Sequence, residues 1–381
     1  MNKNIYLDHA ATTYVKKEVL NEMMPYFSKK FGNPSAIYKL GDENKNIVNF
    51  ARERVARALN AKPTEIYFTG CGSESDNWAL KGIAFANKDK GNHIITTCIE
   101  HAAILKSCEF LEKLGFEITY LSVDKNGRID LDELKNMIRE TTILISVMFA
   151  NNEIGTIEPV KEIAKIAKEH NIYFHTDAVQ AVGNVKIDVK ELGVDMLSLS
   201  GHKLYGPKGI GALYIKEGTS IEKLIHGGGQ ELGKRAGTEN VPSIVGLGKA
   251  MEIAYRDFDK NNSKILALRE YFITEVERRI PDVKLNGHRK LRLPGNINFS
   301  FNGVDGGILL EMLNLHGISA SSGSACSARN VKPSHVLKAI GLDDNTIKSS
   351  LRFSLGVENT KGDIDYVLTI LEKEVYKLRK I

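Results

Sequence analysis

An acid and an amine follow two successive apolar stretches of this 381-residue chain. Asp177 follows the stretch 172–175 with Thr176 between them, and Lys203 follows the next stretch, 196–199. A lysine amine can form a Schiff base with an aldehyde cofactor, and a carboxylate can keep the ring nitrogen of that cofactor protonated. The pair therefore indicates pyridoxal 5′-phosphate (PLP), an electron sink for carbanions next to an amino group.

Further polar clusters also follow strand-like stretches. Ligands of open α/β sheets bind at the carboxyl ends of the strands, so clusters at these positions are expected to meet at one edge. The five clusters are 70–74, 100–101, 151–153, Asp177 with Gln180, and 200–203. Each of them is weak alone, but together they predict a single site.

Small residues precede the predicted helix 74–82. Gly72 and Ser73 would let backbone N–H groups at its N-terminus approach a phosphate, with the Ser73 hydroxyl as a further donor. A helix capped by an ordinary serine after a glycine turn is the alternative. The segment matches neither the P-loop pattern nor the dinucleotide pattern G-x-G-x-x-G.

Each candidate also has a structural alternative. Asp177 could instead cap the segment that begins at Ala178, and Gln180 could donate to a phenolic oxygen or face solvent. Lys203 could be a surface lysine such as Lys208, but Ser200 and His202 accompany it. His101 could stack on a cofactor ring and move protons, or could serve the fold only.

The order of the predicted elements indicates an α/β fold with a mostly parallel, seven-stranded sheet. Helical patterns separate the strand-like stretches, and the pattern changes after about residue 260. A large domain is predicted over 15–258, and a smaller α+β domain over 1–14 and 259–381. The strand-like stretches are 66–69, 93–97, 118–123, 143–149, 172–175, 196–199 and 210–215.

Composition narrows the class of protein. Apolar residues at 42% and charged residues at 26% are typical of globular proteins, and the net charge of +5 is dispersed, so nucleic-acid binding is not indicated. The longest apolar run, 143–150, is too short to span a bilayer, and no signal peptide is recognised, so no membrane partner is expected. Four cysteines without C-x-x-C spacing predict free thiols, no resident metal and a cytoplasmic location.

Cys326 lies in a stretch of small residues, 321–330, which offers little packing. Cysteines usually prefer burial, and Cys98 and Cys108 fit that expectation. An exposed thiol in a segment of this composition is a candidate nucleophile.

With these residues in place, the sequence resembles the cysteine desulfurases of the NifS/IscS kind, in the class V aminotransferase group of PLP enzymes with the aspartate-aminotransferase fold. The matching stretches are Tyr6-Leu-Asp-His-Ala-Ala-Thr-Thr13, Phe31-Gly-Asn-Pro-Ser35, Glu74-Ser-Asp-Asn77, Glu100-His101, Asn151-Asn-Glu-Ile-Gly155, His175-Thr-Asp-Ala-Val-Gln180, Ser200-Gly-His-Lys203, His226-Gly-Gly-Gly-Gln230, Arg235-Ala-Gly-Thr-Glu-Asn240, Ser322-Gly-Ser-Ala-Cys326 and Leu351-Arg-Phe-Ser-Leu355.

The resemblance implies a role for each matched residue. Lys203 would bind PLP, Asp177 would contact the ring nitrogen, His101 would stack on the ring and Gln180 would contact the phenolic oxygen. Cys326 would receive sulfur from L-cysteine as a persulfide. The phosphate would be held by Gly72, Ser73, Ser200, His202 and, from the partner in a homodimer, Thr238. Asn152 would contact both the cofactor and the substrate. Arg352 and Asn33 would contact the substrate.

A sulfur-acceptor protein such as an iron–sulfur scaffold would be the macromolecular partner. Selenocysteine lyase and aminotransferase activity on the same fold remain alternatives, because they would share Lys203 and Asp177. A non-enzymatic sulfur carrier would need Cys326 but not the cofactor pocket, and a nucleotide-binding protein lacks its motifs.

Overall fold

The computed structural model describes residues 4–322 and 333–380, and in this part of the chain fourteen α-helices and twelve β-strands form. The strands are Ile5–Tyr6 (β1), Ile66–Thr69 (β2), His93–Thr97 (β3), Glu117–Leu121 (β4), Thr142–Ser146 (β5), Tyr173–Asp177 (β6), Met196–Ser200 (β7), Gly211–Ile215 (β8), Val283–Leu285 (β9), Asn296–Phe301 (β10), Ile318–Ser319 (β11) and Ser350–Ser354 (β12). The helices are Lys17–Met23 (α1), Pro25–Ser28 (α2), Lys39–Leu59 (α3), Gly72–Ala86 (α4), Ala102–Glu112 (α5), Leu131–Met137 (α6), Val160–Glu169 (α7), Val189–Leu192 (α8), Val241–Arg256 (α9), Phe258–Arg279 (α10), Gly306–Leu315 (α11), His335–Ala339 (α12), Asp344–Lys348 (α13) and Lys361–Leu378 (α14).

Seven of the described strands form one sheet, in the order β2-β8-β7-β6-β5-β3-β4. Only β8 runs antiparallel to its neighbours β2 and β7; the other described pairs of this sheet are parallel. The inner strands β5, β6 and β7 are largely buried, as expected for a sheet with helices on both faces. The predicted α/β class with a mostly parallel seven-stranded sheet is confirmed, with strand ends shifted by up to three residues.

The longest element that the sequence pattern did not predict is α9. Ten of its sixteen positions are buried and only Arg256 is exposed, so it lacks the broad polar face that makes a helix visible in a sequence. Gly248 lets α9 approach α3 closely: a Cβ atom there would lie 2.8 Å from the Cα atom of Ala51. Small residues therefore set the packing distance between these two helices.

A second hydrophobic core joins the beginning of the chain to its last third. β1 pairs in parallel with β11, and β9, β10 and β12 form an antiparallel sheet. Leu7 is fully buried in this core, with side chains of α10, α11 and α14. A capping box begins the last helix, because Thr360 and Asp363 bond each other's backbone N–H groups.

Within residues 4–322 and 333–380, no helix combines the length and the hydropathy that crossing a bilayer requires. The same residues contain no group of three or more His, Cys, Asp and Glu side chains arranged to hold a metal ion.

Phe353 tests the second core, because its ring is fully buried and lies 5.1 Å from that of Phe272. We expect Phe353→Ala to lower the free energy of unfolding by about 3–5 kcal/mol, through lost burial and an unfilled cavity. Urea denaturation measures this, with Leu315→Ala as the control at an exposed position, where the expected change is below about 0.5 kcal/mol. Equal changes in the two variants would contradict the burial of Phe353.

Candidate active site

A cavity of about 490 Å³ opens at the carboxyl edge of the central sheet, a size typical of sites for small ligands. Each of the five predicted clusters contributes to its wall. The sequence-predicted site residues on the wall are Gly72, Ser73, His101, Asn152, Asp177, Gln180, Ser200, His202, Lys203 and Arg352. The fold thus brings together residues that are up to 280 positions apart, from Gly72 to Arg352.

Asp177 is the last residue of β6 and is only 7% exposed. Its Oδ1 accepts a hydrogen bond from the Val179 N–H at 2.9 Å. Burial raises the pKa of the Asp177 carboxyl, while the nearby His101, that hydrogen bond and Lys203 act to lower it. A cationic ring nitrogen at this carboxyl would complete its ion pairing.

Lys203 lies in a short 3₁₀ turn, Gly201–Lys203, that follows β7 directly. Its Nζ donates to the carbonyl oxygens of Ala10 and Ala11, at 2.5 and 2.7 Å. Gln180 Nε2 donates to the same Ala10 oxygen at 3.0 Å. The N-terminal segment therefore orients two residues that the sequence assigned to the site.

The N-terminus of α4 forms one end of the cavity. Its first residue is Gly72, and the preceding Cys71 makes no side-chain cap bond. A Cβ atom on Gly72 would lie 2.7 Å from Cγ2 of Val179, so a larger residue would push into the wall. The helix end is thus shaped to receive an anion, with Ser73 and Ser200 beside it.

His202 stands at this same end of the cavity. Its Nδ1 lies 3.1 Å from Thr12 Oγ1. Burial, followed by the charges of Lys203 and Lys208, lowers the pKa of His202 to about 4. The ring is therefore neutral at pH 7, and it can offer a hydrogen bond without adding charge.

A second buried carboxyl, Asp76 of α4, lies behind Asp177 on the cavity wall. Burial, and then the charge of Asp177, raises the pKa of Asp76 well above its usual range. His175 lies between Ser146 and Ser198, with 2.9 Å from each ring nitrogen to a hydroxyl oxygen. Burial lowers the pKa of His175 to about 3, so this ring is neutral. A neutral histidine thus lies 3.8 Å from Asp76, and burial suppresses the ionisation of the Asp76 and Asp177 carboxyls on the cavity wall.

Glu100 is fully buried and precedes His101 at the N-terminus of α5. Its Oε1 accepts hydrogen bonds from Thr97 Oγ1 at 2.8 Å and from the Met148 N–H at 2.9 Å. Burial raises the pKa of Glu100 to about 8. His101 itself is exposed, and its Nδ1 accepts from the Ala103 N–H at 3.2 Å.

The opposite wall carries Arg352 of β12, which is 2% exposed. Its Nη1 donates to the backbone oxygen of Asn152 at 3.0 Å, and its Nη2 lies 2.7 Å from Asp8 Oδ1. Asn33 and Thr238 are exposed and do not line the cavity within one chain. Cys326 lies outside the described residues.

Sequence reasoning assigned no role to several residues that the structure places at the cavity. Ala10 and Ala11 act through backbone oxygens, which no side-chain pattern reveals. Asp76 lines the cavity, and Asp8 contacts Arg352 of the wall without lining it; both belong to matched stretches but do not directly follow a predicted strand. His335 begins α12, lines the cavity and lies 3.0 Å from the Glu100 carbonyl oxygen through Nε2.

These residues fit PLP. The cavity offers an amine, a buried carboxylate for a ring nitrogen and an uncapped helix end whose glycine leaves room for a phosphate. Lys203, Asp177 and Gly72 supply these three features.

Glu100 also makes the stability of the fold depend on pH. Because its pKa is about 8 in the folded chain, against about 4.3 when unfolded, only the folded state holds the proton between these values. Stability should therefore fall as the pH rises from 5 to 8, by at most about 1.4 kcal/mol per pH unit.

Glu100→Gln should make this slope less steep but not abolish it, because burial also raises the pKa of Glu158 to about 8, whereas Glu112→Gln, at the exposed end of α5, should retain the slope in full. Urea denaturation at several pH values measures the slopes. Parallel slopes for the wild-type chain and Glu100→Gln would show that Glu100 is ionised in the fold.

Comparisons with known proteins agree with this geometry. The class-V aminotransferase family matches residues 5–367. The cysteine desulfurase IscS of Clostridium botulinum (strain Hall) is 59% identical over 383 residues, with coverage of 100% of this chain and 96% of the relative. The enzyme of the same name from Methanosarcina thermophila is 57% identical, with coverage of 100% and 94%.

Solved structures are similar too. A NifS-like protein superposes with a TM-score of 0.93 at 38% identity, covering 98% of this chain and all of the other. SspA in complex with cysteine gives a TM-score of 0.83 at 40% identity, with coverage of 93% and 100%. Family match, identity and fold agree over nearly the whole length: this chain belongs to the class-V aminotransferase family and, within it, to the cysteine desulfurases of the NifS/IscS kind.

Proposed function

We propose that this protein is a PLP-dependent cysteine desulfurase that converts L-cysteine to L-alanine and transfers the sulfur to Cys326 as a persulfide. The observation that carries the proposal is the position of Asp177 and Lys203, at the ends of adjacent parallel strands on one cavity wall. The relatives named cysteine desulfurase, and the neighbour solved with cysteine, support the substrate.

PLP, when bound, supplies an electron sink for negative charge at the substrate Cα. Lys203 would hold it through Nζ, Asp177 would keep its ring nitrogen protonated and His101 would stack on the ring. Gln180 would donate to the phenolic oxygen. The phosphate would lie among Gly72, Ser73, Ser200 and His202, with Asn152 also beside the cofactor and Thr238 of the partner subunit completing the shell.

Lys203 would also move the proton. Its Nζ, oriented by the Ala10 and Ala11 carbonyls, would accept the Cα proton of the substrate and return a proton to the cofactor side. The buried Asp177 would hold the opposite end of the ring system. Arg352 would bind the substrate carboxylate through its planar fork of N–H groups, with Asn152 and Asn33 as further contacts.

Sulfur transfer would begin at the Cys326 thiolate, with His101 as the base that removes the thiol proton. The thiolate would attack the substrate sulfur, so that an S–S bond forms as the C–S bond breaks. The bonding electrons return to carbon, which takes a proton, and L-alanine leaves.

The described residues on both sides of 323–332 contact residues that line the cavity, which supports the role of Cys326. Ser321 pairs with Arg352 through backbone bonds of 3.0 and 2.6 Å, and His335 contacts Glu100.

We also propose that the protein forms a homodimer and passes its sulfur to an acceptor protein. Exposed apolar side chains near the N-terminus, with Phe27, Phe31 and Ile37 at 59%, 69% and 98% exposure, favour a homodimer, in which Asn33 and Thr238 would reach the partner's cavity. The large domain would comprise 15–258 and the small domain 1–14 with 259–381. A sulfur-acceptor protein such as an iron–sulfur scaffold, in the cytoplasm, would take the persulfide.

Lys203→Ala tests the cofactor site. We expect the purified variant to lose the visible absorbance of bound PLP and to lower kcat for cysteine about 10²–10⁴-fold, since it removes both the tether and the base. Lys208→Ala, five residues on and exposed, is the matched control and should keep both. A coloured, fully active Lys203→Ala variant would disprove the assignment.

Cys326→Ala tests the sulfur acceptor. The variant should retain the absorbance of PLP but form no persulfide, because no thiol remains to attack the substrate sulfur. Mass spectrometry after treatment with cysteine should find one added sulfur at position 326 in the wild-type protein, and equally in a Cys98→Ala control. Undiminished desulfuration by Cys326→Ala would show that another group accepts the sulfur. Formation of glutamate or pyruvate instead of alanine by the wild-type protein would favour an aminotransferase.

A further inference from the structure

The segment 8–11 contacts three different residues of the cavity wall. Carbonyl oxygens of this segment accept hydrogen bonds from Lys203 and Gln180, and the Asp8 carboxylate pairs with Arg352. The backbone contacts leave the charges at the site unchanged. The Asp8 contact differs, because it places a fixed negative charge against the guanidinium.

The fold determines the position of both partners in this ion pair. Arg352 lies in β12, opposite Asn298 of β10, and its backbone also pairs with Ser321. The Asp8 backbone oxygen accepts from the Tyr6 hydroxyl at 3.0 Å, and Asp8 forms a bridge with Ser354 of β12. The ion pair is therefore held in place by the backbone contact between Asp8, which follows β1, and strand β12. It does not depend on flexible surface side chains.

Both side chains are largely withdrawn from water: that of Arg352 is 2% exposed and that of Asp8 is 17% exposed. The 2.7 Å contact compensates the guanidinium charge, so the pair has a net charge near zero. A second carboxylate that approaches Arg352 gains attraction from the guanidinium and meets repulsion from Asp8. At separations near 4 Å each of these interactions is large enough to change binding about fivefold or more.

We propose that Asp8 is a specificity-determining positioning residue, an internal counter-ion that weakens the binding of carboxylates at Arg352 so that a carboxylate without an amino group is rejected. An amino acid is also held at its amino end by the cofactor, and so it tolerates the weakened carboxylate contact. This inference rests on the proposed role of Arg352 as the carboxylate site.

The test uses Asp8→Asn in the holoenzyme, with 3-mercaptopropionate as the probe. This compound has the carboxylate and thiol of cysteine but no amine. Loss of the counter-charge should lower its inhibition constant about tenfold and lower KM for L-cysteine, with a smaller change in kcat. Calorimetric titration with the same compound, in the absence of turnover, should show the same gain in affinity.

Two variants separate this role from a purely structural one. Asp8→Glu, which keeps the charge, should restore weak inhibition. Glu358→Gln removes a carboxylate from His9, the next residue of the same segment, but does not touch Arg352, so it should leave the inhibition constant unchanged. If Asp8→Asn does not fold, Asp8→Ser, which is also uncharged, replaces it. Unchanged or weaker binding of 3-mercaptopropionate by the neutral variants would overturn the proposal.

Arg352→Gln distinguishes failure of this inference from failure of the site assignment. A raised KM for cysteine in Arg352→Gln, with unaltered inhibition in Asp8→Asn, would refute the role of Asp8 alone. An unchanged KM in Arg352→Gln would refute the carboxylate site itself, and with it this inference.

Discussion

The distance between two adjacent parallel strands is the constraint on which the site depends. β6 ends at Asp177 and β7 ends at Ser200, and the two strands pair in register, with Asp177 opposite Ser198. Adjacent strands lie about 4.8 Å apart, so the acid and the turn that carries Lys203 are fixed within one small region. Both are anchored in a buried sheet, and the surrounding residues can therefore specialise in burial, charge or hydrogen bonding without having to position the chemistry themselves.

Burial then determines which groups carry charge. The pKa values of Asp76, Asp177 and Glu100 are raised by removal from water, while those of His175 and His202 are lowered. Burial is the largest cause of each shift, because a charge removed from water must have a partner to be stable. A cationic ligand group at Asp177 would gain from this arrangement, because burial disfavours an unpaired carboxylate there.

The sequence pattern predicted the strands of the main sheet well, and it predicted the site well where polar residues follow a strand. Alternation of strands and helices located all seven strands of the main sheet, and the clusters at 100–101, 151–153 and 200–203 do line one cavity. The sequence pattern failed where a contact is made by the backbone, and where a helix has no periodic polar face. α9 is buried at ten of its sixteen positions, and Ala10 and Ala11 act through their carbonyl oxygens. The Asp8–Arg352 pair spans 344 positions, and no local pattern encodes such a contact.

The pairing of β1 with β11 has a consequence for biosynthesis. Ile5 and Tyr6 pair with Ile318 and Ser319, and Ala10 donates to Ser354 Oγ, so the first strand gains its partners only when more than three hundred further residues have been synthesised. The large sheet and its helices can collapse on the ribosome well before this. During that interval the nascent polypeptide carries an unpaired leading segment, and the amine at position 203 lacks the carbonyl groups that orient it. Catalytic competence is thus among the last properties that a newly made molecule acquires.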